Sequence, residues 1–343
     1  MGRRKIVSVF RLAGVLGLVG MTACAPPDSP GGLASSALPP IEGAVTFGAT
    51  EPAGRQVAAK FSEVGNGATV SFIDPDSGNT VTTTLTTPDG KFRLTFLSGN
   101  FSPGTGTYFL EAVKGLSVGG AANRVGAPAA RVRTLIAFVA GDWSTLTAGS
   151  IAINRSTTVV AALSNLKGLT QDQNRGLLGR IVAGKESTLG GLTANDTFSP
   201  TAEISAVEFH RTWDLVAEAL RQDADPIGSL FLRPADGTSS AQVEIGPGFG
   251  KREGVAWAAD GFMLAGLSPA DAAPGDRVTV YGHGLPTATD SATVWLGGKN
   301  CPVVSTDGKG SSLQFLVAAG AVTGNVEFRY GPWINRSLFL VVR

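Results

Sequence analysis

Residues 261–285 read GFMLAGLSPADAAPGDRVTVYGHGL, and this stretch decides the fold of the C-terminal part of the chain. The turn-forming triplet Pro274-Gly275-Asp276 precedes a β-branched strand at 278–280. Glycines follow at 282 and 284, where a turn favours the residue that takes positive φ without a steric penalty. Two more strand-and-turn stretches come next, ATVWLGGKNCPVV at 292–304 and LQFLVAAGAVTGNVEFRY at 313–330. The pattern is typical of a β-sandwich built from short strands.

This succession of motifs resembles the IPT/TIG immunoglobulin-like domains, and the resemblance covers residues 262–343. The motifs that carry it are Ser268-Pro269, Pro274-Gly275-Asp276, Gly282-x-Gly284-Leu285, Gly297-Gly298 and Gly324-x-Val326. The resemblance implies an immunoglobulin-like sandwich, which serves as a spacer or binding module in secreted proteins and binds DNA in some intracellular ones. The export signal and the acidic balance described below favour the first use.

A second β-rich region precedes it, in ATVSFIDPDSGNTVTTTLTTPDGKFRLTF at 68–96 and YFLEAVKGL at 108–116. Alternation of apolar and polar residues predicts strands, and the Asp-Gly pair at 89–90 predicts a hairpin between the runs on either side of it. Stretches 132–139 and 151–153 complete the predicted sheets. The order of these features resembles the carboxypeptidase regulatory-like, prealbumin-type β-sandwich, which we place at 43–155.

Between the two sandwiches the hydrophobic period changes to that of helices, and we predict a small helical subdomain over 156–232. Ser156 is expected to cap a first helix, Thr170 and Gln173 to form a capping box, and Ser199-Pro200 to start another helix. Phe209, Trp213, Val216 and Leu220 then form one apolar stripe. Residues 233–261 are predicted to be a linker. The predicted fold is therefore mainly β, with two β-sandwich modules joined by a small α-helical subdomain.

The N-terminus has the pattern of an export signal. Four basic residues precede an apolar run at 12–21, which is too short to span a bilayer. The run ends in Met21-Thr22-Ala23-Cys24, which resembles the lipobox of bacterial lipoproteins. The resemblance implies a signal peptide at 1–23, acylation of Cys24 and attachment to the lipid bilayer. Residues 24–42 are rich in Pro, Gly and Ser and are predicted to be a flexible tether. Since Ala25 rather than Asp follows the cysteine, the resemblance favours the outer membrane.

Charge and cysteine content restrict the partners. Removing the four basic residues before Cys24 leaves 24 basic against 27 acidic residues, a net charge of about −3. This balance argues against a nucleic-acid partner held through its phosphates. With Cys24 acylated, Cys301 has no cysteine left for an intramolecular disulfide, and we interpret it as a thiol on a strand.

Catalytic and metal-binding patterns are weak. Gly115-Leu116-Ser117-Val118-Gly119 fits the G-x-S-x-G elbow of hydrolases, but no helix pattern follows it. His210 and His283 are isolated, and Asp74, Asp76 and Asn79 lack the distant Glu of an EF-hand. We therefore predict no catalytic residue, cofactor or metal, and retain a hydrolase that uses Ser117 as the alternative.

Four tryptophans are the remaining binding candidates, because an indole combines a large apolar face with a polar tip. They are Trp143, Trp257, Trp295 and Trp333, and packing in the core is the favoured interpretation of each. The leading hypothesis is a surface lipoprotein without enzymatic activity that binds a polysaccharide or an envelope protein. A purely structural spacer within an envelope assembly is a further alternative.

Overall fold

The first sandwich consists of two sheets whose buried side chains share one hydrophobic core. In this computed structural model, the structure describes residues 38–47, 67–97, 99, 101–113, 130–182, 197–221, 225–237, 241–245 and 263–343. The strands are β1 (Ile41–Val45), β2 (Thr69–Ile73), β3 (Thr80–Leu85), β4 (Lys91–Leu94), β5 (Thr107–Val113), β6 (Arg131–Val139), β7 (Asp142–Thr145) and β8 (Ile151–Ile153). One sheet has the order β3-β2-β5-β6-β7 and the other the order β4-β1-β8. The mainly β prediction is confirmed.

The hairpin predicted around Asp89-Gly90 is wrong, although its turn is present. The N–H of Gly90 donates to Thr87 O at 2.9 Å, and Thr87 N donates to Lys91 O at 2.8 Å. After this turn β4 pairs with β1 in the small sheet, whereas β3 pairs with β2 in the large one. The reason is burial, since Phe92 and Leu94 of β4 point into the core between the sheets. The chain therefore crosses from one sheet to the other at this turn.

The helical insert is confirmed, but two of its predicted starts are wrong. Helix α1 (Arg155–Lys167) is capped by Asn154, which forms a capping box with Thr157, and not by Ser156. Helix α2 (Gln171–Arg175) begins with the predicted Thr170–Gln173 box. Helix α3 (Ala206–Arg221) begins after Ser205 instead of at Ser199-Pro200. There the Ser205 hydroxyl accepts from Glu208 N at 3.2 Å and the Glu208 carboxylate accepts from Ser205 N at 2.9 Å, so a two-way cap decides the start.

The helical insert has no core separate from the first sandwich. Helix α1 is buried along almost its whole length, and its apolar side chains belong to the same cluster as those of β2 and β6. The α3 stripe joins this cluster too, with Phe209, Val216 and Leu220 buried and Trp213 packed against them. Packing is therefore continuous across the boundary predicted at residue 156.

A short helix and a strand lead from the insert into the second sandwich. Helix α4 (Pro226–Ser229) is capped by Asp225, and β9 (Leu230–Arg233) follows it directly. Leu230 lies in the first core and its neighbour Phe231 lies in the second. Strand β10 (Gln242–Ile245) pairs with β9, so part of the predicted linker at 233–261 is instead strand. Residues 246–262 lie outside the described part of the chain.

The second sandwich holds the remaining strands and has its own core. They are β11 (Met263–Ser268), β12 (Asp271–Ala272), β13 (Arg277–His283), β14 (Ala292–Leu296), β15 (Lys299–Cys301), β16 (Val303–Thr306), β17 (Ser312–Leu316), β18 (Gly324–Tyr330) and β19 (Trp333–Val342). One sheet has the order β10-β9-β19-β18-β14-β15, with β12 also on β19, and the other has the order β11-β13-β17-β16. Strands β9 and β19 of the first of these sheets contact α1.

Asp307 shapes the turn between β16 and β17, and the hydrogen bonds that it accepts there should lower the pKa of its carboxyl group. Its carboxylate accepts from the N–H groups of Lys309 and Gly310, each at 2.9 Å, and from the hydroxyl and N–H of Ser311. The Ser311 hydroxyl, followed by the backbone donors, lowers the pKa of Asp307 to about 2. We expect its contribution to stability to be complete above about pH 4 and to be lost as the pH falls towards 2.

NMR titration of the Asp307 carboxyl carbon measures this pKa directly. Replacing Ser311 with alanine should raise it, because the largest single cause of the shift is removed. A midpoint near the usual aspartate value in the unsubstituted protein would contradict the turn geometry.

Several predicted features lie outside the described residues. They are the signal peptide, Cys24, most of the tether, Ser117 with its surrounding motif, and Trp257. Among the residues that the structure does describe, no helix has the length and apolar character needed to cross a membrane.

Candidate binding cleft

The three candidate tryptophans that lie within the described residues occupy different settings. Trp143 is buried, packs against Phe96 in the first core, and donates its Nε1–H to Pro39 O at 2.9 Å. Trp333 is half-buried and donates to the carboxylate of Glu244 at 2.6 Å. Trp295 is half-buried on the outer face of β14, with the Arg329 guanidinium 4.9 Å from its ring centroid. These three rings are not brought together into one site.

The polar residues considered for chemistry also lie apart. His210 is exposed on α3, and the Asp74 carboxylate accepts hydrogen bonds from Asp76 N and the Ser77 hydroxyl within its own turn. Cys301 is buried in the second core, and this burial raises the pKa of its thiol. Among the described residues no group of three or more His, Cys, Asp or Glu could hold a metal ion.

A polar cleft does form where the helical insert meets both sandwiches. It has a volume of about 290 Å³. Five parts of the fold contribute to it, namely the β2–β3 turn, β5, the end of α1, α2 and the β18–β19 pair where β18 begins. Its polar lining consists of Asp76, Thr107, Ser164, Asn165, Gln171, Asn174, Thr323 and Asn325. Its apolar lining includes Phe109, Leu169 and Phe339.

Local chain geometry creates the helical wall of the cleft. Helix α1 ends at Gly168, which adopts a left-handed conformation with φ of 64° and donates its N–H to Ser164 O and Asn165 O. This C-cap allows the chain to turn sharply into α2. Asn165 on the last turn of α1 and Asn174 on α2 therefore face the same space.

Contacts across the cleft hold the second sandwich against the insert. Arg336 of β19 donates to Leu166 O at the end of α1 and pairs with Glu327 through two of its nitrogens, at 2.9 and 2.6 Å. Gly78 lies against Phe339 so closely that a Cβ there would come within 2.2 Å of the ring. Any larger residue at 78 would have to displace Phe339, so this glycine is required by the close approach as well as by its φ of +67°.

Some polar groups of the cleft are already used in structural hydrogen bonds. The Gln171 carbonyl accepts from Thr107 N at 2.8 Å and from the Thr107 hydroxyl at 2.6 Å. The Ser164 hydroxyl donates to Asn174 Oδ1 at 2.5 Å. The Thr323 hydroxyl accepts from Val342 N at 2.9 Å. These bonds fix the walls.

Other polar groups of the cleft have no partner in the described part of the chain. The Asn165 side chain makes no hydrogen bond there although the residue is only 8% exposed. The amide nitrogen of Asn174 and the whole side-chain amide of Asn325 are likewise unpaired within the described residues. The Asn165 amide remains accessible from the cleft, where a ligand or water can supply its hydrogen bonds.

Sequence reasoning did not single out Asn165, Asn174 or Asn325. Each is an ordinary polar residue near the end of a helix or strand, and they are far apart in the chain. The Asp74–Asn79 turn was recognised, but nothing in its pattern indicated that it would pack on a strand of the other sandwich.

Comparison with known proteins bears on the second sandwich. Residues 264–331 match the family model of the IPT/TIG domain. This segment is an IPT/TIG domain. The β18 wall of the cleft, including Asn325, lies inside the IPT/TIG domain, whereas Phe339 follows the matched residues.

Solved structures match only a small part of the chain. Two are auxiliary nutrient binding proteins, from Bacteroides thetaiotaomicron and Bacteroides ovatus, which are 28% and 26% identical over the matched region. Each match covers 20% of this chain and 16% of the other, with a TM-score of 0.19. No curated protein has significant sequence similarity to the chain.

Proposed function

We propose that this protein is a membrane-anchored binding module of the cell envelope, without enzymatic activity, and that the polar cleft holds its partner. The observation that carries the proposal is the Asn165 amide, which lines the cleft and has no hydrogen-bond partner among the described residues. An amide in that position can exchange its hydrogen bonds to water for hydrogen bonds to a ligand. The partner is a polysaccharide or an envelope protein, and not a nucleic acid.

The chemistry of the lining supports binding over catalysis. Asp76 is the one ionisable residue that lines the cleft in the described part of the chain. General acid–base or nucleophilic catalysis needs a second group within hydrogen-bond reach of the first, as in a nucleophile–base pair. Amides and hydroxyls suit recognition instead. A hydrolase that uses Ser117 is the alternative, and replacing Ser117 with alanine in an active preparation tests it.

The proposal also covers the first sandwich and the N-terminal segment that precedes it. The first sandwich, at 43–155, is a carboxypeptidase regulatory-like module. Residues 1–23 are a lipoprotein signal peptide, and 24–42 tether the protein to lipid on Cys24 at the outer membrane. Two or three acyl chains make such an attachment effectively permanent, since each buried methylene contributes about 0.8 kcal/mol.

Replacing Cys24 with alanine is expected to release the protein from the membrane. Intact mass of the native protein should show acyl chains on Cys24, and the variant should move to the soluble fraction. An unmodified Cys24 in a protein that is already soluble would contradict the anchor. In that case Cys24 and Cys301 would have to be tested as a disulfide pair.

Blocking the cleft tests the binding site itself. Asn325 is exposed on β18, so Asn325→Trp fills the entrance without disturbing either core. We expect this variant to lose retention on isolated envelope fractions. Asn300→Trp is the matched control, because Asn300 is an exposed residue of the same sheet outside the cleft. Equal retention of both variants would place the binding site elsewhere.

A further inference from the structure

We propose that the cleft recognises the end of a neutral, hydroxyl-rich carbohydrate chain. This inference rests on the proposed function, which it makes more specific. Three properties of the described residues of the cleft carry it, namely the unpaired amides, the apolar surfaces and the lack of a free cation among them. A fourth observation, the pairing of the strands that line the cleft, disfavours a peptide.

The unpaired amides match the hydrogen-bonding pattern of sugar hydroxyls. A side-chain amide offers two N–H donors and one carbonyl acceptor in a fixed plane, and each hydroxyl can both donate and accept. Asn165 presents both functions inside the cleft, Asn174 presents its nitrogen, and Asn325 presents both at the entrance. Adjacent hydroxyls on a sugar ring can therefore satisfy donors and acceptors together.

The apolar surfaces suit the C–H face of a sugar ring. Phe339 is half-buried and lines the cleft beside Asn325, its partner across the β18–β19 pair. Phe109 contributes to the lining while the Arg133 guanidinium lies 4.6 Å from its ring centroid. Ligand sites of this kind combine an apolar lining with a few placed polar groups.

The charges of the cleft disfavour an anionic ligand. Asp76 gives the lining a single negative charge, and the nearby guanidinium of Arg336 is already paired with Glu327 and bonded to Leu166 O. A phosphate or carboxylate would need a charge-assisted donor, which no side chain lining the cleft supplies among the described residues. A neutral ligand meets no such penalty.

The size of the cleft limits how much of the carbohydrate chain can enter it. A volume of about 290 Å³ lies near the lower end of the range of about 300–1,000 Å³ found for ligand pockets. We therefore expect the cleft to hold about one or two sugar units, with the rest of the carbohydrate chain in solvent.

Strand pairing disfavours an extended peptide as the ligand. A peptide that binds by β-augmentation needs an unpaired strand edge. Strand β18 is already paired with β14 and β19, and β5 is paired with β2 and β6. Within the described residues the cleft therefore offers side-chain groups and not a free backbone edge.

The test is binding of the full mature protein to an array of neutral and acidic glycans, followed by calorimetry with the oligosaccharides that bind. We expect binding to neutral members, and about tenfold weaker binding after Asn165→Ala. Alanine is the best helix former, so this variant should keep its fold, which its melting temperature checks. Asn325→Ala should also weaken binding, and Asn300→Ala should not.

Two outcomes would overturn the carbohydrate proposal. One is the absence of binding to every neutral glycan, and the other is preferential binding of acidic glycans or of peptides added as competitors. If Asn325→Trp still abolishes envelope retention in either case, the cleft remains the binding site and only the ligand class is wrong. If neither retention nor glycan binding depends on the cleft, both proposals fail.

Discussion

Replacing Arg131 with methionine is expected to destabilise the protein by about 3–5 kcal/mol, because it leaves two buried carboxylates without this cation. Arg131 lies between them. Its Nε donates to Asp225 Oδ2 at 2.7 Å, and its Nη1 lies 3.6 Å from Glu111 Oε2. Glu111 is 8% exposed and Asp225 is fully buried. The residue thus joins the first sandwich to the cap of α4, the helix that leads into the IPT/TIG domain.

Urea denaturation measures this loss, and Arg93→Met is its matched control. Arg93 pairs with Glu42 at the surface, where both side chains are more than half exposed. Exposed pairs of this kind contribute about 0–1 kcal/mol, so the control should change stability little. A similar cost for the two substitutions would show that the buried network is not important for stability.

The pH dependence of the two carboxylates that contact Arg131 gives a second readout. Burial by itself raises the pKa of Glu111, but the charges of Arg133 and Arg131 outweigh it and hold that pKa below its usual value. The stabilisation from Glu111 is therefore present at neutral pH and is lost as the pH falls below about 4. For Asp225 burial outweighs Arg131, so its pKa is raised.

Without Arg131 the pKa of each carboxyl should rise, because one favourable charge is gone. Protonation then removes the negative charge that Arg131 no longer compensates, so the destabilisation by Arg131→Met should shrink between pH 7 and pH 4. A cost that stays constant over this range would contradict the electrostatic explanation and favour lost packing of the arginine side chain.

Replacing Phe72 with alanine is expected to cost about 3–5 kcal/mol, the range found for large aromatic residues removed from cores. Phe72 is fully buried at the centre of an aromatic cluster in the first sandwich. Its ring centroid lies 4.9–5.4 Å from those of Phe96, Phe101, Tyr108 and Trp143. The substitution removes four ring contacts and leaves a cavity that the surrounding sheet cannot fully close.

Denaturation followed by tryptophan fluorescence suits this measurement, because Trp143 belongs to the same cluster. Leu97→Ala is the control. Leu97 is a large apolar residue close to β4 but is 77% exposed, so its removal should change stability by no more than about 0.5 kcal/mol. A cost below about 1 kcal/mol for Phe72→Ala would mean that the cluster is not the core of the sandwich.

The hairpin predicted at Asp89-Gly90 does not form, which shows the limit of prediction from neighbouring residues alone. The residues that form the turn were recognised correctly, because turn preferences depend on neighbouring residues alone. Whether two strands that share a turn also share a sheet depends on which faces are buried. Here Phe92 and Leu94 pack into the core from the small sheet, opposite the strand that precedes them.

Helix starts show the same limit on a smaller scale. Ser156 and Ser199-Pro200 are good start signals, yet Asn154 and Ser205 perform the capping. Several residues near each start could cap a helix. The choice among them follows from where the chain must leave the preceding strand or loop in order to bury the apolar face.

The sequence by itself determined the elements that depend on period and turn chemistry. These include the IPT/TIG domain, the strands of the first sandwich, the α2 capping box and the apolar stripe of α3. Only the tertiary structure decided the cleft, because Asn165, Asn174 and Asn325 come from two helices and a distant strand. The alternation of apolar and polar residues and the capping motifs depend on the environment of each residue within its own helix or strand. They carry no information on which polar residue of one element will lie opposite that of another, since the packing of the whole fold sets that geometry.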